Sequence, residues 1–189
     1  IRVEGLTILA PWNKSDRKGP RILIEPGMAF GTGRHESTRL MIKLMDTIGF
    51  KNKEVLDIGC GSAILSLYAA TLGAEKVYAV DNDPDAIASA RKNIRLNNAT
   101  AIRTARKDLR RVTETYDVIL ANIDIGTFRA TSQKIAELLR KNGSLVVSGI
   151  LARNRKELIS LFSGLVCTAV VQKNSWRGFL FKKPAGKSK

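Results

Sequence analysis

Two cysteines, Cys60 and Cys167, and a single histidine, His35, are all that the 189 residues hold of those types. They are too few and too far apart for a disulfide framework or a zinc cluster, and no CxxC pair occurs. A reducing compartment, the cytoplasm, is the expected location, and no metal is expected in the fold. Long apolar runs are also missing, so no helical membrane span is expected. The opening IRVEGLTILAPW lacks the charged-then-apolar plan of a signal peptide. No internal repeat or low-complexity linker interrupts the chain. Acidic residues are scarce, 17 against 32 Lys and Arg, which leaves a net charge of +15. Such an excess favours RNA or another polyanion as a partner, because phosphate contacts release counterions, although a solvated basic surface has the same composition. The basic residues gather at 14–21, 91–111 and 153–156, and in the final KKPAGKSK.

What is present is one domain's length of chain with short apolar runs alternating with helical patterns, the sign of a parallel sheet wrapped by helices. Residues 55–58 (VLDI) form the first strong strand, ending in a glycine loop, and ILSLYAATLGA after it has the spacing of a buried helix that stops at Gly73. Residues 77–80 are the second strand, closed by Asp81, and Pro84 suits the first turn of the next helix. Weaker strand character at 101–104 is followed by a fourth strand at 117–121 running into Asn122. A helix over 127–141, a fifth strand over 144–148 and a short helix over 155–162 come next. Two β-rich stretches, 164–172 and 176–181, are separated by Lys173, Asn174 and Ser175, which reads as an antiparallel hairpin at the sheet edge. At the front, 6–10 and 21–25 suggest a small β-ribbon, and 35–48 a helix. The expected architecture is α/β, with a seven-stranded, mostly parallel sheet ending in an antiparallel hairpin and helices on both faces. Three regions follow: 1–34 as ribbon and loop, 35–183 as the main domain, and 184–189 as a disordered basic tail.

The loop Asp57-Ile58-Gly59-Cys60-Gly61-Ser62-Ala63 lies between a strand and a helix. Glycines there let backbone approach a ligand, and the helix N-terminus offers it unpaired N–H groups. A dinucleotide fingerprint needs a third glycine at position 64, which is Ile. Asp57 beside the loop opposes a pyrophosphate but suits a cationic amino group. Asp81, twenty residues after Gly61, stands where a carboxylate accepts both hydroxyls of a ribose. A ligand with a ribose, a cationic amino acid portion and no phosphate is S-adenosylmethionine. Cys60 in the loop and Asn82 after Asp81 join this set. Asp108 either receives the adenine amino group or is an exposed acid among arginines. Asn122, at the carboxyl end of the fourth strand, has an amide oxygen that can accept from an attacking amine.

EPGMAFGTGRHEST, VLDIGCGSAIL, VDNDPDAI, ANI and SGIL, in this order, resemble the methyltransferase domain of the PrmA family. ILAPWN near the start is similar to the segment leading into that domain. The glycine loop marks class I methyltransferases in general, with their Rossmann-like fold; the block from Met28 to Thr38 is far more selective. The resemblance implies transfer of methyl groups from S-adenosylmethionine to lysine and the N-terminal amine of a large-subunit ribosomal protein. It also implies that Phe30 covers the cofactor, with Gly31, Thr32 and Gly33 as backbone contacts. His35 is then a helix-start residue or a proton acceptor, Thr38 a support of the loop, and Asp124 a proton acceptor or simply an acid opening the next helix.

Three departures stand out. Ala63 replaces the last glycine of the family's GSGIL loop, and a methyl group at a helix start is expected to be tolerable. The substrate-facing stretch is Asn122-Ile123-Asp124-Ile125-Gly126. The family's N-terminal recognition domain has no room in this chain. Two other readings remain: an RNA or DNA base N-methyltransferase, and a non-catalytic module that binds S-adenosylmethionine. ANID lacks the proline and aromatic of an adenine-stacking loop, which weighs against the first.

Overall fold

The computed structural model describes residues 2–3, 5–13, 19–25 and 35–186. Among these residues, ten strands fall in two sheets. The small one contains β1 (Arg2–Val3), β2 (Leu6–Leu9) and β3 (Arg21–Leu23), in that order, with β1 antiparallel and β3 parallel to β2. The large one is built from β4 (Glu54–Ile58), β5 (Lys76–Asp81), β6 (Ile102–Arg106), β7 (Tyr116–Asn122), β8 (Leu139–Leu151), β9 (Val166–Lys173) and β10 (Trp176–Lys182). Its order is β6-β5-β4-β7-β8-β10-β9; β4 to β8 are parallel, and β10 runs antiparallel to both neighbours. The mostly parallel sheet and terminal hairpin are those expected. The returning strand β10 lies inside, between β8 and β9, so that β9 forms the edge.

Alternation along the central strands sorts side chains onto two faces. Val55 of β4 and Val118 and Leu120 of β7 belong to one buried cluster, with Met41, Leu44, Leu67 and Tyr68 of α1 (Glu36–Met45) and α2 (Ile64–Thr71). The same cluster takes in Ile87 and Ala90 of α3 (Pro84–Leu96), and Val3, Leu6, Ile8 and Ile22 of the small sheet. Leu56, Ile119 and Ala121 point the other way, into a cluster with Phe128 and Ile135 of α4 (Ile125–Leu138) and Leu158 of α5 (Arg155–Leu161). Strands buried on both faces explain why VLDI and DVILA read as continuous apolar runs. The small sheet has no core of its own; its apolar side chains complete the first cluster.

Several boundaries differ from expectation: α1 stops at Met45 rather than 48, and β8 runs on to Leu151 rather than 148. α4 stops at Leu138 rather than 141, and β8 begins at Leu139 rather than 144. Leu139 already pairs with Tyr116, and the register shift that follows holds Asn142 at φ 62°, a left-handed conformation that asparagine tolerates better than most residues. Among the described residues, no helix is long and apolar enough to cross a membrane.

Candidate active site

The parallel strands deliver their carboxyl ends to one edge of the sheet, where α/β folds bind ligands. At that edge Gly59 and Gly61 adopt φ values of 66° and 52°. Gly61 N–H donates to Asp81 Oδ2 at 3.0 Å, and Asp83 N–H donates to Oδ1 at 3.0 Å. Asp81 therefore ties the loop after β4 to the start of α3, and each of its oxygens keeps a lone pair for a further donor. A side chain at Gly59 would meet Ile123, whose Cγ2 is 2.8 Å from an ideal Cβ there. Gly149, at φ 84°, is tighter still, with the Ile123 carbonyl oxygen 2.3 Å from its ideal Cβ. Glycines at 59 and 149 thus let the end of β7 sit between the loop and β8.

Asp57 is 1% exposed. Its Oδ2 accepts from Ser66 N–H at 3.1 Å and from Ser66 Oγ–H at 2.6 Å, while Oδ1 is buried with no partner among the described residues. Burial pushes its pKa up to about 7 against the pull of the Ser66 hydrogen bonds, and the neighbouring Asp81 charge adds to the rise. The Asn122 Oδ1 is likewise buried and without a partner, and so is Thr38 Oγ1 on α1. By alternation, Asn122 follows Val118 and Leu120 onto the face of the sheet that Asp57 shares with Val55. α1, which carries Thr38, packs on that same face. Three orphaned oxygens therefore lie on one side of the sheet, two of them at or next to the carboxyl ends of adjacent strands. Buried polar atoms without partners are rare, and these three mark this region as the candidate site.

The other candidates divide. Cys60 is buried, and desolvation pushes its thiol well up, so it stays protonated while its N–H donates to Val80 O. Asn82 is exposed, with its carbonyl accepting from Arg106 Nε at 3.1 Å. Asp108 lies past the end of β6, both oxygens engaged by Arg110: Oδ1 accepts from Arg110 N–H at 2.9 Å, and Oδ2 from Nη2 at 2.5 Å. His35 caps α1, its Nδ1 accepting from Ser37 N–H at 3.2 Å, and its ring meets Trp176 edge-on at 4.6 Å. Asp124 caps α4 through Thr127, whose hydrogen bonds hold its carboxyl below the usual range. Phe30, Gly31, Thr32 and Gly33 lie outside the described residues. Ala63 departs from the expectation of an easy methyl: its φ of 62° and ψ of 23° are left-handed, a conformation that costs a non-glycine residue about 1–2 kcal/mol.

Two asparagines, Asn93 of α3 and Asn97 just past its end, were not among the residues the sequence pointed to. Asn93, fully buried, donates through Nδ2 to Ser62 O in the glycine loop at 3.0 Å and accepts from Glu25 N–H at 3.0 Å. One turn on, Asn97 accepts from Leu23 N–H at 2.8 Å and donates to Leu23 O at 2.7 Å, mimicking a neighbouring strand. Together they fasten the chain leaving β3 to the glycine loop. A polar residue facing inward from an amphipathic helix was the available signal.

The ribosomal protein L11 methyltransferase (PrmA) family is matched over residues 2–184. The chain belongs to this family. It is 37% identical over 187 residues to the ribosomal protein L11 methyltransferase of Ruminiclostridium cellulolyticum, covering 95% of this chain and 59% of that protein. The crystal structure of a ribosomal protein L11 methylase from Lactobacillus delbrueckii subsp. bulgaricus superposes with a TM-score of 0.90 at 24% identity, covering 96% of each chain. The N-methyltransferase NodS from Bradyrhizobium japonicum WM9, solved with S-adenosyl-L-homocysteine, shares the fold at a TM-score of 0.64 and 18% identity, over 80% of this chain and 89% of that one. The chain spans little more than half the length of the first curated PrmA relatives that it matches. The FGTG block falls on residues 30–33, outside the described residues, while the glycine loop, Asp81 and Asn122 lie at the carboxyl edge of the sheet.

Proposed function

We propose that this chain is the catalytic part of a cytoplasmic methyltransferase that uses S-adenosylmethionine to methylate an amine of a ribosomal protein, with a lysine side chain as the acceptor. One observation carries the reading: Asp57 Oδ1 and Asn122 Oδ1, buried and without partners among the described residues, face the same side of the sheet next to a glycine loop. These residues fit the cofactor. Asp57 would accept from its ammonium group, Asp81 from its ribose hydroxyls, and the N–H groups around Gly59 and Gly61 would line its amino acid portion. When bound, S-adenosylmethionine supplies a methyl group already activated on a sulfonium, so that positioning gives most of the acceleration.

Asn122 Oδ1 accepts from the acceptor amine's N–H and orients the nitrogen lone pair toward the pocket. A neutral amide suits this role, because it accepts a hydrogen bond without forming an ion pair that would hold the amine protonated. The amine proton leaves to water. Asp124 is a poor base, since its oxygens serve Thr127 and its carboxyl is held low. Relatives named as ribosomal protein L11 methyltransferases support the ribosomal acceptor. The test is incubation with tritiated S-adenosylmethionine and separated ribosomal protein and RNA fractions. Label in protease-sensitive material, recovered as methyl-lysine after hydrolysis, is expected. Label confined to nuclease-sensitive material would overturn the acceptor and restore the base-methyltransferase reading.

A further inference from the structure

The net charge is not spread evenly. Residues 91–111, one ninth of the chain, carry eight cations and one carboxylate, a net +7 out of the total of +15. The fold gathers them on one edge. β6 is the outermost strand of the large sheet, and α3 packs beside it with Arg91 Nε donating to Thr104 Oγ1 at 3.2 Å. Arg91, Lys92 and Arg95 of α3 are exposed, as are Arg103 and Arg106 of β6 and Arg110 and Arg111 beyond it. Past the end of β6, a concavity of about 470 Å³ is lined by Arg106, Lys107, Asp108, Arg110 and Arg111. Its guanidiniums are held in place: Arg106 Nε by Asn82 O, and Arg110 by the Asp108 carboxylate. Only Asp108 offers negative charge in the hollow, and Arg110 already engages it. Arg106 pairs with Asp81 across β5 and β6, which places the concavity on the flank of the candidate cofactor pocket.

We infer that this β6–α3 edge binds the phosphate backbone of structured RNA and holds it beside the methyl-transfer site. Guanidinium forks match phosphate oxygens in a bidentate way, and six of the eight cations are arginines. An acidic protein partner is disfavoured, because no large apolar side chain among residues 91–111 is exposed, Val166 and Val170 lie on β9 at the opposite edge of the sheet, and protein interfaces need such anchors. Residues 91–111 contain no aromatic residue, and the neighbouring ring of Tyr78 on β5 is half-buried with Lys107 Nζ 5.9 Å from its centroid, so backbone contact with folded RNA fits better than stacking of single-stranded bases. A merely protective edge strand needs a charge or two, not a shaped hollow with pre-oriented guanidiniums. The inference rests on the proposed function only in naming RNA as the polyanion that accompanies a ribosomal acceptor.

The test measures binding of a short fluorescent RNA hairpin by anisotropy across a salt series, without cofactor, so that its failure is separate from failure of the methyltransferase reading. The triple variant Arg103→Gln/Lys107→Gln/Arg111→Gln is expected to bind about tenfold or more weakly, with a salt slope shallower by about three. The triple variant Lys141→Gln/Arg153→Gln/Lys156→Gln removes the same charge from exposed positions elsewhere and is expected to bind within about twofold of wild type. Equal weakening by both triples, no binding near physiological salt, or displacement of the hairpin by polyglutamate at equal charge would each overturn the inference.

Discussion

The two ends of the central sheet handle their polar groups in opposite ways. At the amino end, Arg140 binds Glu54 Oε2 at 2.5 Å and Asp117 Oδ2 at 3.0 Å, while Lys76 takes Glu54 Oε1 at 3.0 Å. Asp117 Oδ2 also accepts from Glu54 N–H, at 3.0 Å. A broad cleft of about 650 Å³ lies there, and Glu54, Lys76 and Arg140 in its lining pair with one another. At the carboxyl end the space is made by glycines, and Asp57 and Asn122 each keep a buried oxygen without a partner among the described residues. The size of a hollow therefore says less about function than the satisfaction of its polar groups. The amino end fixes the strands together; the carboxyl end holds polar capacity for a ligand.

Substitutions at the two ends should separate accordingly. Gly149→Ala is the most damaging, because its methyl would press into the Ile123 carbonyl in a backbone conformation that alanine resists. It should cost about 3 kcal/mol or more in denaturant unfolding and abolish methyl transfer by displacing Asn122. Asn122→Ala should lower kcat by about a hundredfold or more while leaving the unfolding midpoint unchanged or slightly raised, since it removes a buried oxygen that has no partner. A matching loss of stability would mean that Asn122 is structural.

The Asp57 carboxyl gives a pH signature. Its pKa is raised in the folded state, so from about pH 4 to 7 the native protein holds a proton that the unfolded chain releases, and stability without ligand falls as pH rises through that window. Binding of the cofactor's ammonium group needs the carboxylate, so affinity should rise with pH, by up to about tenfold per unit below pH 7. Asp57→Asn should flatten both dependences. At the amino end, Arg140→Ala should cost about 1 kcal/mol, because the network is partly exposed, and leave cofactor affinity unchanged.

How legible these two ends were in the sequence differs for physical reasons. The strand ends were readable because apolar runs stop at Asp57, Asp81 and Asn122, and the strand-glycine-helix order fixes where those residues project. The hairpin was readable from its apolar runs, although β10's place inside the sheet was not, since pairing order is a nonlocal choice. Ala63 looked harmless because sequence shows its methyl but not its φ of 62°. Asn93 and Asn97 looked like ordinary helix residues because their partners are 31 to 74 residues away in sequence. The ion-pair network escaped notice for the same reason: Arg140 and Glu54 are 86 residues apart.

The central claim is that the carboxyl end holds S-adenosylmethionine while the amino end does not. Isothermal titration of S-adenosylhomocysteine into the wild-type chain, Asp81→Ala and Arg140→Ala tests it most directly. One-to-one binding by wild type and Arg140→Ala, with affinity at least about tenfold weaker in Asp81→Ala, is the predicted result. Absence of heat in the wild type, or equal affinity in Asp81→Ala, would contradict it.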